Sequence, residues 1–103
     1  MNRTEDIIGP IHPGEFLSDL LGDMGITAYA LAKAIGKPQI QVSRILNGRS
    51  GISAHMARLI GGSLGLTPQM LLNWQSHYDL ETDAVRAPRI EVKSIVADGV
   101  KVA

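Results

Sequence analysis

Residues 27–48, TAYALAKAIGKPQIQVSRILNG, decide how the rest of the chain is read. Thr27 suits a helix N-cap, because its hydroxyl can accept one of the unpaired N–H groups of an opening turn. Leu31, Ala32 and Ile35 then share one face. Gly36 stands where a helix leaves through a left-handed residue, and Lys37-Pro38 restarts the chain with Pro38 at the first helical position. The second helix buries Val42, Ile45 and Leu46 at i, i+3, i+4 and stops at Asn47-Gly48. Each short helix offers one stripe to a core and leaves its other face free.

On the second helix that free face carries Gln39, Ile40, Ser43, Arg44 and Asn47. Amide and guanidinium groups match the donor and acceptor pattern of base edges in a DNA major groove, and an Ile side chain can touch a thymine methyl. Ala32 where the helices cross, Gly36 in the turn and Val42 in the second helix have the spacing of a helix-turn-helix. The blander alternative is an αα-hairpin inside a helical bundle.

Charge is distributed around this stretch in a telling way. The formal net charge of the 103 residues is zero, yet no Asp or Glu occurs from Met24 to His77, a window that holds Lys33, Lys37, Arg44, Arg49 and Arg58. Acids collect outside it, at Glu5, Asp6, Glu15, Asp19 and Asp23 before and at Asp79, Glu81 and Asp83 after. Phosphate attraction depends on that local field rather than on the sum. The competing reading is a solvated basic face.

Outward from the motif, Pro13 opens a helix with Glu15 in its first turn, and Leu17, Leu20, Leu21 and Met24 form one predicted buried stripe, closed by Gly25. Residues 1–12 read as a mobile arm in which Ile7 and Ile8 could become ordered. After Arg49-Ser50-Gly51-Ile52, Ser53 caps a fourth helix with Met56, Ala57, Ile60 and Leu64 inside and His55 and Arg58 outside. Gly61-Gly62 in its middle costs about 1 kcal/mol per Gly relative to Ala, which predicts close approach of a neighbouring helix. Thr67-Pro68 starts a fifth helix with a wide apolar arc of Leu71, Leu72, Trp74 and Tyr78, whose helical signal fades between Leu80 and Arg86. Beyond Pro88 the period changes. Ile90, Val92 and Val96 alternate with polar residues, and Asp98-Gly99 is a hairpin signal before Val100 and Val102. A lone hairpin is marginal in water, so this tail needs a second copy or another protein to pair with; the plainer alternative is a frayed terminus.

The expected architecture is therefore all-α: a five-helix helix-turn-helix domain over 13–87, a flexible arm over 1–12 and a short β-strand or hairpin extension over 88–103. A core of aliphatic and Ala side chains is expected, as 45% of residues are hydrophobic and 4% aromatic. There is no Cys, which excludes disulfides and thiolate chemistry. No apolar run approaches the roughly 20 residues of a membrane span, and MNRTEDIIGP lacks a signal-peptide hydrophobic region, so no membrane partner and a cytoplasmic location are expected. His12, His55 and His77 lie far apart, Asp79, Glu81 and Asp83 lack a calcium-loop pattern, and no Ser-His-Asp arrangement can be argued. No enzyme activity, metal or cofactor is expected.

Several segments in order resemble the HigA family of antitoxins, within the repressor-like helix-turn-helix class. They are His12-Pro13-Gly14-Glu15, Leu31-Ala32, Val42-Ser43, Leu46-Asn47-Gly48-Arg49, Ile52-Ser53, Arg58-Leu59, Trp74-Gln75 and Tyr78-Asp79-Leu80. The resemblance covers about residues 12–80. Lys37 stands where the class usually has an apolar residue, and Pro38 replaces a common Ser or Thr.

The resemblance implies a homodimer that binds a palindromic operator of double-stranded DNA in its own promoter and neutralises a small basic toxin, a ribosome-dependent mRNA endoribonuclease. Carried over by position, it implies base contacts by Gln39, Ile40, Ser43 and Arg44, and phosphate contacts by Thr27, Tyr29, Lys33, Asn47 and Arg49. One helix reads few base pairs, so two copies about 34 Å apart are needed. Leu72, Trp74 and Tyr78, with or without the tail, are the expected two-fold interface, with core packing the alternative for Trp74. Two other functions remain open: a free-standing transcriptional regulator without a toxin, and an interaction module that no longer reads DNA.

Overall fold

Side-chain caps and left-handed glycines set the helix boundaries in a computed structural model that describes residues 9–96. The five helices are α1 (Pro13–Met24), α2 (Ala28–Ile35), α3 (Gln39–Leu46), α4 (Ala54–Leu64) and α5 (Pro68–Arg86). Thr27, Ser53 and Thr67 accept from the amides of Ala30, Met56 and Met70 at 3.0, 3.2 and 3.2 Å, satisfying an unpaired donor at the start of α2, α4 and α5. Gly25, Gly36, Gly48 and Gly65 follow α1 to α4 with φ of 69°, 69°, 75° and 75°. The amide after each reaches back across the turn: Ile26 to Leu21, Lys37 to Ala32, Arg49 to Arg44 and Leu66 to Gly61, at 2.8–3.0 Å. That backbone pairing stops a helix cleanly and aims the next one.

Two apolar clusters hold the helices together. Leu21, Leu31, Ala32 and Val42 join α1, α2 and α3, and Leu17, Ile45, Ile52, Met56, Ala57, Ile60 and Leu71 join α1, α3, α4 and α5. Ile35, Leu46 and Leu64 pack against both. Because α3 contributes Val42 to one cluster and Ile45 to the other, its rotation about its own axis is fixed from two sides.

Five expectations need correction. Pro38 is the N-cap of α3, with extended backbone (φ −59°, ψ 141°), and the helix begins at Gln39. Of the predicted α1 stripe only Leu17 and Leu21 are fully buried; Leu20 is half-buried and Met24, at the last position of the helix, is 44% exposed. A Cβ on Gly61 would lie 2.5 Å from the Leu66 carbonyl oxygen, so its close neighbour is the α4–α5 turn and not a helix, while Gly62 faces open space. The α5 helix runs unbroken through Leu80–Arg86, where His77 and Glu81 pair at 2.7 Å one turn apart.

The fifth correction concerns the tail. Residues 88–96 contain no strand, and Ile90, Val92 and Val96 are exposed. A strand without a neighbour leaves its backbone groups unpaired, and none of the described residues offers an edge. Asp98-Gly99, Val100 and Val102 lie outside the described residues, as do Ile7 and Ile8. Among the described residues no helix is long and apolar enough to cross a membrane, and no group of three or more His, Asp or Glu could hold a metal.

Candidate nucleic-acid interface

With Val42 and Ile45 buried, the opposite side of α3 is left to solvent. Gln39, Ile40 and Arg44 are exposed and Ser43 is half-buried. Ile40 is 68% exposed, so it contributes little to the fold. The Arg44 Nε donates to Ser50 Oγ at 3.4 Å, which ties the guanidinium to the loop after α3. Gln41, one step around the helix, turns toward α4, its Nε2 lying 3.6 Å from Met56 Sδ. Among the five helices α3 alone has no side-chain cap, since proline at the cap has no hydroxyl or amide to offer. Its positive dipole end is therefore uncovered by a side chain.

The other predicted residues lie in several settings. Thr27 and Tyr29 open α2, Tyr29 being 59% exposed, and Lys33 Nζ stands 5.9 Å from the Tyr29 ring centroid. Arg49 is exposed in the loop after α3. Asn47 is exposed in a different setting, a cleft of about 340 Å³ shared with Glu15, Ser18, Asp19 and Leu46. Carboxylates beside it oppose an approaching phosphate. Leu72 and Trp74 are half-buried against the core, Trp74 meeting Phe16 with ring centroids 5.5 Å apart, and Tyr78 meets His12 edge-on at 4.9 Å. These three residues are thus partly engaged within the chain. Leu80 and Val85, farther along α5, are 72% and 67% exposed.

The motifs that flank the helix-turn-helix turn out to brace it. His12 caps α1 by accepting the Gly14 amide at Nδ1 (2.9 Å). Any Cβ on Gly14 would collide with the Ile45 carbonyl, so glycine lets α1 meet the end of α3. Gln75 accepts the Ile52 amide at Oε1 (2.8 Å) and donates through Nε2 to Asp79 Oδ1 (3.0 Å). His12 is pushed below the ordinary histidine value of 6.5, chiefly by burial, against the raising influence of the Ser50 backbone and of the Asp79 and Glu15 carboxylates. In the sequence His12, Gly14 and Gln75 stand out only as family signatures, and the ordered string HPGE before a helix is the signal that marks the first two.

Residues 17–71 match the family described as Helix-turn-helix. Antitoxin HigA-1 of Vibrio cholerae is 40% identical over 72 residues, which cover 69% of this chain and 68% of that protein. Among solved structures, antitoxin HigA of Pseudomonas aeruginosa with the higBA promoter superposes with a TM-score of 0.76 at 34% identity, covering 84% of this chain and 99% of that one. Antitoxin GraA in complex with its operator gives a TM-score of 0.76 at 39% identity, covering 85% and 93%. A helix-turn-helix with this arrangement, and this degree of identity over two thirds of a HigA antitoxin, mean that the chain belongs to the HigA-type antitoxins of the helix-turn-helix class.

Proposed function

We propose that this chain is an antitoxin and an autorepressor: a homodimer that binds an operator in its own promoter and neutralises a small basic toxin, an endoribonuclease acting on mRNA at the ribosome. In this reading residues 13–87, with His12 as the cap of α1, form the DNA-binding unit, and the rest of residues 1–12 and residues 88–103 are accessory segments. The outer face of α3 enters the major groove, where Gln39, Ile40, Ser43 and Arg44 meet bases. Thr27, Tyr29, Lys33 and Arg49 meet phosphates on either side and fix the register, with Asn47 a weaker contact because Glu15 and Asp19 share its cleft. Two recognition helices about 34 Å apart are required, so dimerisation is part of the binding mechanism. Leu72, Trp74 and Tyr78 supply one part of the two-fold interface, extended by the exposed Leu80 and Val85.

The observation that carries the reading is the exposed polar face of α3, with Ile40 standing clear of the core and the helix lying in a stretch of sequence, Met24 to His77, without Asp or Glu. Relatives solved with a promoter and with an operator support it. The toxin part is tested by co-expression with the neighbouring gene and purification through a tag on this chain alone. A stoichiometric small basic protein that arrests growth when expressed by itself is the expected result. A chain that shifts its promoter but retains no such protein would be a free-standing regulator instead.

A further inference from the structure

The loop between α3 and α4 is met at Gly48, Gly51 and Ile52 by side chains from outside the helix-turn-helix. Gly48 lies under the His12 ring, where a Cβ would be 3.5 Å from the imidazole. The Ser50 backbone is one of the polar groups near the same ring that favour its proton. A Cβ on Gly51 would be 3.2 Å from the Gln75 amide, and the Ile52 amide donates to Gln75 Oε1 at 2.8 Å. His12 is in turn set by the Gly14 amide and the edge of Tyr78, and Gln75 by Asp79. This clamped loop contains Arg49 and the Ser50 hydroxyl that receives Arg44.

We infer that His12 and Gln75 are positioning residues for DNA recognition: from α1 and α5 they immobilise the loop that aims Arg44 and Arg49, although neither touches DNA. The inference rests on the DNA-reading role proposed above. A side-chain group held in advance loses less conformational entropy on binding, and that saving appears directly in affinity. The His12 end of the clamp depends on protonation. Nδ1 can accept the Gly14 amide only while unprotonated, and the imidazolium would present a second donor there. The groups facing the ring are Glu15 of α1, Tyr78 and Asp79 of α5 and the Ser50 backbone of the loop. The two carboxylates and the Ser50 backbone favour the proton, and burial outweighs them.

The test compares the full chain with His12→Asn and Gln75→Ala. Asparagine is a good N-cap, so the first variant retains the start of α1 while losing the ring over Gly48 and the titrating group. Affinity for a promoter fragment is measured from pH 7.5 to 5.5, well below each protein's melting temperature, together with hydrogen exchange at the Ile52 amide in the free proteins. Both variants should bind about five- to tenfold more weakly at pH 7.5, Gln75→Ala through the lost bond to the Ile52 amide and His12→Asn through the lost ring over Gly48. The advantage of the parent over His12→Asn should narrow as pH falls below 6.5, with His55 and His77 common to both. Exchange at Ile52 should accelerate in Gln75→Ala. Variants that bind as the parent does at every pH would overturn the inference, as would unchanged exchange at Ile52. A parent chain that ignores its promoter would instead sink the DNA-reading role, while the exchange measurement would still judge the clamp.

Discussion

Arg44 and Arg49 sit five residues apart and should fail differently. Arg44 stands on the outer face of α3, held by Ser50, and bidentate contact with a guanine would give it discrimination. Arg44→Ala is expected to cost about 1–3 kcal/mol and to relax preference at one base position, as read by competition titrations with single-base operator variants. Arg49→Ala should weaken all sequences alike and lower the slope of log affinity against log salt by about one. Equal behaviour of the two variants would contradict the assignment. Asn47→Ala should matter less than Arg49→Ala in the same titrations, since Glu15 and Asp19 share its cleft. At this scale the sequence was legible where a residue acts on its immediate neighbours: Thr27, Ser53 and Thr67 cap the helices they precede. His12 and Gln75 act on residues 23 or more positions away, and nothing in local spacing reveals such a partner.

Adjacent glycines in α4 provide a test at the scale of an element. Gly61→Ala would press a Cβ against the Leu66 carbonyl and should lower the melting temperature, whereas Gly62→Ala meets nothing within 4 Å. The second substitution should stabilise by about 0.5–1 kcal/mol, the helical advantage of Ala over Gly. Thermal melts that move both variants in the same direction would refute the packing described for α4. Composition announced that a mid-helix Gly pair needs compensation but not which member receives it, because the obstacle is a backbone atom in the following turn. A similar limit explains Pro38: its fixed φ suits either the cap or the first helical position, and only ψ distinguishes them. The alternation Ile90, Val92, Val96 had the period of a strand without an edge among the described residues to pair with, and period alone does not supply one.

For the whole molecule, stability and assembly are the quantities to measure. His12 has its folded pKa lowered below 6.5, so the unfolded chain binds its proton first. Its contribution is therefore complete above pH 6.5 and is lost as pH falls through the folded value. Melting temperatures should decline over that interval in the parent and decline less in His12→Asn. Leu80→Glu with Val85→Glu should reduce the solution mass from twice the 11.0 kDa chain toward the monomer and weaken operator binding in parallel, as light scattering and titration would show. A dimer unaffected by those changes would place the interface elsewhere.

The most direct examination of the central claim, that the outer face of α3 reads duplex DNA, is methylation protection at guanine N7 on the promoter of the chain's own gene. N7 lies in the major groove, so an inserted α3 should shield guanines in two patches about 34 Å apart, and Arg44→Ala should restore reactivity at specific positions within them. Uniform reactivity along a bound fragment, or the same pattern with Arg44→Ala as with the parent chain, would contradict it.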